Sequence, residues 1–325
     1  MRNLKVKYKG LIVLLIAFVL FGCSTDTNHF KGKYITYTYT HVTDVPEKFQ
    51  MDTYYYNCET KENKLVSQIP YQAQYPLTYY DQANNLVYFT KRVGESHNDE
   101  VYQYDCDTKE EKKLTNGVYA VNAMFKVNDH ELALVAVTDS RIIHLCFLNL
   151  DTLKLEEKKY KNESIKAQFF DEKNNTILLA CLDEEKSYQL MDDFNNGKIG
   201  PYKEDFTFYE YSLDTKEYKE LFHDKDNGDS IPTIIGDEKN IYYRIDDHGS
   251  SKVMKYDRKT KKTEEFLDKG EMYRQFILLD DDEKTLIFDN GGYTLMEKNL
   301  ETGEAKDLFH TDAEGALNNG FAGDL

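Results

Sequence analysis

Signatures of several common protein classes are missing from this sequence. It has no tryptophan and only five prolines among 325 residues. No CxxC pair or His/Cys cluster is present, which excludes the common zinc sites, and no Gly-x-Ser-x-Gly elbow marks a hydrolase nucleophile. No segment of useful length has helical periodicity. Disorder is excluded because aromatic residues form 14% of the chain and are spread through it.

The first 22 residues have the organisation of an export signal. Four basic residues precede an uncharged run, Leu11 to Phe21, whose 11 residues match a signal-peptide core and are too few to span a membrane. The segment Leu20-Phe21-Gly22-Cys23 resembles a lipobox, where bacterial lipoproteins receive a diacylglyceryl thioether on cysteine and are cut before it. Residues 1–22 are therefore predicted to be a signal peptide, Cys23 the lipidation site, and 23–33 a tether. An ordinary secretory signal and an uncleaved anchor are the alternatives.

The remaining chain is acidic. Without residues 1–22 it has 37 basic and 58 acidic residues, a net charge of −21 over 303 residues. Such a body is repelled by nucleic acid and by anionic lipid, so no nucleic-acid partner is expected. Two acyl chains suffice for stable anchoring. The expected location is the extracytoplasmic face of a Gram-positive-type cell membrane, with no cofactor beyond the covalent diacylglycerol on Cys23.

Two patterns repeat along the chain in phase with each other. The first is an alternating strand that leads into a charged turn with threonine, and the threonines lie at 60, 108, 152, 215, 260 and 302. The second is a polar turn followed by an apolar strand, with markers at 86, 132, 177, 241 and 286. Both patterns have spacings near 45 and share one long interval, 63 in the first and 64 in the second. One insertion common to two independent patterns indicates a true repeat.

The repeat predicts a β-propeller over residues 34–325. Tyrosines alternating with polar residues indicate half-buried strands, and about four strands in roughly 45 residues is the period of a propeller blade. In the turns, we assign the acid before each threonine to hydrogen bonds with backbone N–H groups two residues on. Six such turns predict six blades, with seven as the alternative. The segment after His310 is expected to supply the strand that the first unit lacks, which protects the sheet edges.

The pattern resembles the TolB-type and WD40-like propeller repeats of exported bacterial proteins. The resemblance covers nearly all of residues 34–310 and is best in 276–309, where Phe276 to Phe288 precedes Glu301-Thr302-Gly303-Glu304. The family's Ser-Pro-Asp-Gly turn is absent from every unit. The resemblance implies an architecture, and a propeller carries binding, scaffolding or catalysis equally well.

Several segments could carry chemistry. The insertion, about residues 183–205, is predicted to be a long loop on one face of the disc, and such loops often carry function. Three acidic clusters could bind calcium but lack the spacing of a calcium loop; they are Asp192-Asp193 with Asn195-Asn196, Asp224-Asp226-Asp229, and Asp280-Asp281-Asp282. The eight histidines are scattered through the sequence at 29, 41, 97, 130, 144, 223, 248 and 310. We therefore predict no catalytic, metal or cofactor residue, and we interpret most tyrosines as blade packing, with a sugar or peptide groove as the alternative.

Four cysteines follow Cys23. They are Cys58, Cys106, Cys146 and Cys181, and two disulfides are arithmetically possible. Cys58 and Cys106 occupy equivalent places in neighbouring units, which is too far apart for a disulfide. We expect all four to be buried or half-buried thiols, with a Cys146–Cys181 bridge as the alternative.

The sequence favours a non-enzymatic binding or scaffold lipoprotein. Its partner would be a protein or a cell-envelope component, bound on a disc face or in the central channel; the sequence names no ligand-binding residue and no oligomeric state. An extracellular hydrolase or lyase with a site in the channel is the second hypothesis, and a structural or sensor accessory is the third. Carboxylates and histidines converging at the axis would favour an enzyme, whereas apolar and hydroxyl groups there would favour binding.

Overall fold

The computed structural model describes residues 30–43, 49–71, 73–92, 94, 98–139, 141–247, 250–267, 273–311 and 315–324. The first eleven strands are β1 (Lys33–Val42), β2 (Phe49–Asn57), β3 (Asn63–Tyr71), β4 (Thr78–Asp81), β5 (Leu86–Arg92), β6 (Asp99–Asp105), β7 (Glu111–Lys113), β8 (Ala120–Asn128), β9 (Glu131–Val137), β10 (His144–Asn149) and β11 (Leu155–Lys158). The remaining elements are β12 (Glu163–Asp171), β13 (Thr176–Asp183), α1 (Glu184–Asn195), β14 (Glu204–Ser212), β15 (Tyr218–Gly228), β16 (Ser230–Gly236), β17 (Asn240–Asp247), β18 (Ser250–Asp257), β19 (Lys262–Leu267), β20 (Tyr273–Leu279), β21 (Thr285–Asn290), β22 (Thr294–Asn299), β23 (Ala305–His310) and β24 (Ala316–Asp324).

The strands form six four-stranded antiparallel sheets, which are the blades of a β-propeller. Blade one has the order β24-β1-β2-β3, and blades two to six are β4–β7, β8–β11, β12–β15, β16–β19 and β20–β23. The inner strands β4, β8, β12, β16, β20 and β24 lie around the axis, joined by backbone contacts, by the Phe125–Phe170 ring pair between β8 and β12, and by the Asn319–Thr78 hydrogen bond between β24 and β4. The all-β, six-bladed prediction is confirmed, and the seven-blade alternative is wrong.

The C-terminal strand closes the ring, as predicted. β24 pairs antiparallel with β1 from Lys33 opposite Asp324 to Thr40 opposite Ala316. Two glycines make this pairing possible. A Cβ atom at Gly320 would lie 2.7 Å from Ile277 of blade six, and one at Gly323 would lie 2.6 Å from the Tyr34 hydroxyl. The missing Cβ atoms let the backbone of β24 lie close to Ile277 of the neighbouring blade and to Tyr34 of β1 in its own blade.

The six repeat threonines lie at equivalent places, in the turn between the third and fourth strands of each blade. The residue after each threonine has a positive φ, between 57° and 77°. The side chain that accepts the turn's N–H groups is, however, three residues before the threonine. In blade two it is Asp105, which accepts from Asp107 and Thr108. Our assignment of this role to the acid directly before the threonine, such as Asp107, was therefore wrong.

Most of the core lies between neighbouring blades and is rich in tyrosine, as predicted. Tyr37, Tyr88, Tyr209, Tyr211 and Tyr243 are among the largest fully buried side chains. Blades four and five meet through stacked rings, with Phe222 3.8 Å from Tyr256 between centroids. Offset aromatic pairs of this kind add to the free energy of area burial.

The insertion contains a helix, which corrects our expectation of a long loop. α1 begins after Asp183, whose carboxylate accepts from the Lys186 N–H, and ends at Asn196. No residue of α1 is buried. Because no face of α1 packs in the core, the sequence carries no regular apolar stripe that would mark a helix. Within the described residues, no helix has both the length and the apolar character needed to cross a membrane.

All four cysteines after Cys23 are free thiols. Cys58, Cys146 and Cys181 are buried and Cys106 is half-buried, as predicted, and the alternative Cys146–Cys181 bridge is not formed. Burial raises the pKa of Cys58 and of Cys146 to about 12. These thiols are therefore small core residues with little nucleophilic character.

Candidate functional site

A cavity lies at one end of the central channel, between the inner ends of blades one to four. It has a volume of about 420 Å³ and opens on the disc face that carries the turns after β4, β8 and β12. We call this face the mouth face. The channel mouth is formed by Tyr34, Asp81, Lys126, Glu172 and Asp324. Below it the channel narrows to a chamber of about 70 Å³.

The mouth residues are positioned by the ends of the inner strands. Asp81 is the last residue of β4, Glu172 follows β12 directly, and Asp324 ends β24. Two of these strands end in the same five-residue turn, Asp-x-x-Asn-Asn, at residues 81–85 and 171–175. In each turn the aspartate accepts a hydrogen bond from the first asparagine, and the second asparagine has a positive φ. Asparagine tolerates that conformation better than most residues.

Acidic groups outnumber basic groups at the channel mouth. The Lys126 ammonium lies 2.7 Å from an Asp81 oxygen and 2.9 Å from an Asp129 oxygen. Asp324 is paired with Lys33. Glu172 forms no salt bridge within the described part of the chain. Burial among the mouth atoms, and then the nearby Asp324 carboxylate, raises the pKa of Glu172, while Lys33 opposes this rise.

Two tyrosines form the transition from the mouth to the chamber. Burial, followed by the charge of Glu172, raises the pKa of Tyr34 to about 12. Burial and Tyr34 raise the pKa of Tyr79 well above its ordinary value. Both hydroxyls therefore stay protonated at neutral pH. Because they hydrogen-bond each other, the pair offers one O–H donor, and no phenolate base, to a ligand.

Four aromatic side chains line the chamber, and we call this group the channel floor. They are Tyr79, Phe125, Phe170 and Phe321. Phe125 and Phe170 are stacked at 5.2 Å between centroids, and the Phe321 ring lies 6.0 Å from Phe125 and 5.7 Å from Tyr79. Phe170, Phe321 and Tyr79 are only half-buried although they lie at the centre of the disc. Their exposed faces border the cavity and are available to a ligand.

A buried polar network lies near the axis at the far end of the floor. The Thr38 hydroxyl donates to the Asn319 carboxamide oxygen at 2.7 Å and accepts from the Thr78 N–H at 2.9 Å. The Asn319 amide donates to the Thr78 carbonyl at 3.2 Å. The network joins β1, β4 and β24, so it ties blades one and two together where the ring is closed.

The described channel lining contains no Ser/His or Cys/His pair. Among its described lining residues there is no histidine, cysteine or serine. The five described histidines pair instead with acidic or hydroxyl groups outside the channel; they are His41, His130, His144, His223 and His310. His29, His97 and His248 lie outside the described residues. Of the carboxylates at the mouth, Asp81 is paired with Lys126.

The aspartates that cluster in the sequence each have a separate structural contact in the fold. Asp193 pairs with Lys198 at 2.8 Å, the Asp224 carboxylate accepts from the Tyr243 hydroxyl, and Asp280 accepts two backbone N–H groups in its turn. Across the described ranges, no three His, Cys, Asp or Glu side chains converge as a metal site.

A second exposed feature lies on the opposite face of the disc. β13 leads away from the mouth face, so α1 lies on the far face. Its side chains Tyr188, Met191 and Phe194 are 38%, 41% and 44% exposed. Arg141 lies over the Tyr188 ring at 5.4 Å. The long interval in the repeat predicted this insertion, whereas the exposure of its apolar side chains was not predicted.

The channel residues escaped the sequence analysis. A signal was present: an aromatic pair precedes the aspartate of both Asp-x-x-Asn-Asn turns, as Tyr79-Tyr80-Asp81 and Phe169-Phe170-Asp171. The one predicted site residue, Cys23, lies outside the described residues.

Comparisons with known proteins agree with this architecture. No protein-family model matches the chain, and no curated protein matches it. Solved structures do match, with 792 chains, which marks a widely shared fold. TolB from Acinetobacter baumannii is 13% identical with a TM-score of 0.57 over 90% of this chain and 67% of TolB. A propeller chain from a nidogen/laminin complex is 9% identical with a TM-score of 0.55 over 90% of this chain and 98% of its own. At such identities the likeness establishes the fold alone, a TolB-type β-propeller architecture.

Proposed function

We propose that this protein is a non-enzymatic binding propeller, anchored to the extracytoplasmic face of the cell membrane through Cys23, which holds part of a protein or cell-envelope component in its central channel. The observation that carries the proposal is the cavity of about 420 Å³ at one end of the central channel. Tyr34 and Tyr79, whose hydroxyls are protonated, line this cavity, and the rings of Phe125, Phe170 and Phe321 line the narrower chamber below it. The described lining of both has no nucleophile paired with a base. Concave sites with apolar walls and a few polar groups are typical of ligand binding.

The similar structures add limited support for a protein partner. The second matched propeller was crystallised in a nidogen/laminin complex. A propeller of this architecture is thus compatible with binding another protein, which is one of the two ligand classes proposed here.

The proposed anchor sets which face points to the membrane. Residues 1–22 would be the removed signal and 23–33 the tether to a domain of residues 34–325. Lys33 lies at the channel mouth, paired with Asp324. Ten residues span at most about 36 Å when fully extended. The lipid on Cys23 would therefore hold the mouth face near the bilayer, with α1 on the face directed outward.

The anchor is tested with Cys23→Ala. This variant should remain an uncut precursor and incorporate no labelled fatty acid in growing cells, whereas the native chain is labelled. Unchanged labelling of Cys23→Ala would contradict the lipidation site.

Channel binding is tested by photo-crosslinking in intact cells. A photoreactive phenylalanine analogue replaces Phe321 on the channel floor, and the same analogue replaces Tyr293, a 59% exposed residue outside the channel, as the matched control. The channel position should give a discrete crosslinked species that the control position lacks. Identical patterns from both positions, or none from the channel, would overturn a channel ligand.

A further inference from the structure

The charge at the channel mouth favours a cationic ligand. Its lining includes four carboxylates, Asp81, Asp129, Glu172 and Asp324, and one ammonium group, Lys126. The Lys126 ammonium forms ion pairs with Asp81 and Asp129, and Lys33 forms an ion pair with Asp324. Glu172 is left as a carboxylate without an ion-pair partner among the described residues. An anion entering the mouth would meet like charges, and a cation would meet Glu172.

The walls below the mouth favour a cation that carries apolar groups. The rings of Tyr34, Tyr79, Phe125, Phe170 and Phe321 line the passage from the mouth to the floor. An aromatic face attracts an ammonium group through its quadrupole, most strongly where the cation is partly desolvated. Methyl or methylene groups on the same ligand would cover the half-buried rings. A metal ion is a poor alternative, because no three metal-ligating side chains converge among the described residues.

The chain already places one ammonium group at this mouth. The Lys126 side chain is 11% exposed, and its ammonium lies 2.7 Å from an Asp81 oxygen and 2.9 Å from an Asp129 oxygen. The mouth carboxylates thus hold one partly buried ammonium group, and Glu172 lies on the same rim. The acidic body, with its net charge of −21 beyond residue 22, also attracts cations at long range.

We propose that the channel mouth binds an organic ammonium group on an apolar stem, with Glu172 as its counter-ion and the aromatic rings around its methyl or methylene groups. This inference rests on the proposed channel-binding function and names the ligand chemistry of the same site. Two sources supply such a group: a free ammonium compound, and a lysine side chain of a bound protein.

The test is calorimetric titration of the full lipidated chain in a non-ionic detergent at low salt. The probes are choline, its uncharged isostere 3,3-dimethyl-1-butanol, and Nα-acetyl-lysine methylamide. Choline or the lysine probe should bind in the millimolar range or tighter, and the uncharged isostere should bind at least about tenfold more weakly, a difference of about 1.4 kcal/mol. Binding should weaken on adding salt, because the mouth is open to solvent. Choline alone would assign a free compound, and the lysine probe alone would assign a protein side chain.

Variants localise the effect. Glu172→Gln should weaken binding of the charged probe about tenfold, the scale of one lost charge-assisted contact, and Phe321→Leu should weaken it severalfold. Glu110→Gln makes the same charge change in an exposed turn of the mouth face, away from the channel, and should leave binding unchanged. Melting curves establish that each variant is folded.

The inference is overturned if the uncharged isostere binds as tightly as choline and the lysine probe. It is also overturned if Glu172→Gln and Glu110→Gln behave alike. A crosslinked partner at position 321 without any ammonium binding would refute the ligand chemistry and leave channel binding intact. Absence of both would refute both proposals.

Discussion

The repeat turn offers a direct test of how the blades are built. In blade six the residue after the threonine is Gly303, with a φ of 77°, and a Cβ atom added there would have no heavy atom within 4 Å. Gly303→Ala therefore changes backbone conformation without creating a clash. The left-handed conformation costs an L-residue about 1–2 kcal/mol, whereas removing glycine's freedom from the unfolded chain returns roughly 0.5–1 kcal/mol. The net expected loss in the free energy of unfolding is about 1 kcal/mol.

The matched control is Gly200→Ala. Gly200 also has no heavy atom within 4 Å of an added Cβ, but its φ is negative or extended. The same chemical change should there be neutral or stabilising by about 0.4–1 kcal/mol. Differential scanning calorimetry should give a melting temperature roughly 1–3 °C below the native value for Gly303→Ala and one at or above the native value for Gly200→Ala. Equal shifts in the same direction would refute the conformational account of the turn.

Three further predictions test the packing and electrostatics. Burial raises the pKa of Asp289 from 3.8 to about 6, so the folded state binds this proton more tightly than the unfolded state. The free energy of unfolding should therefore fall as pH rises from about 4 to 6. Melting curves of Asp289→Asn should show a smaller fall over the same pH range. Leu317→Ala opens a cavity where β24 meets blade six and should lower the free energy of unfolding by about 2–5 kcal/mol. The control is Leu65→Ala on β3, where the side chain is 39% exposed and the loss should be smaller. Similar losses for the two variants would contradict closure by β24. A thiol reagent should modify only Cys106 readily in the folded protein and all four cysteines after denaturation, counted by mass spectrometry; rapid labelling of Cys181, which is buried, would contradict the structure.

The local turn chemistry was predictable in kind but not in detail. The threonine recurs because the same turn ends the third strand of every blade, and its spacing is visible in the sequence. The accepting side chain is three residues earlier and varies among Asn57, Asp105, Asn149, Ser212, Asp257 and Asn299. Asparagine, aspartate and serine all accept a hydrogen bond from a backbone N–H. Because any of these three residue types can accept the hydrogen bond, no single residue type recurs at this position of the repeat.

The helix α1 and the free cysteines illustrate two limits of pattern reading. α1 contributes no buried residue, so it lacks the periodicity that reveals a helix packed on a core. Its signal is local, in the capping side chain of Asp183 and the two glutamates that follow. Cysteine spacing, in contrast, left a Cys146–Cys181 bridge possible until the structure placed both as free, buried thiols.

The number of blades was determined by the sequence alone, because each unit of about 45 residues must repeat its own pattern of half-buried strands and turns. The channel was decided only by tertiary structure. Asp81, Lys126, Glu172 and Asp324 come from four different inner strands, or from the turns that end them, and are separated by up to 243 residues. Ring closure brings them around one axis, and hydrophobic burial between blades drives that closure. Their shared position therefore depends on packing over the whole chain, which no local sequence pattern encodes.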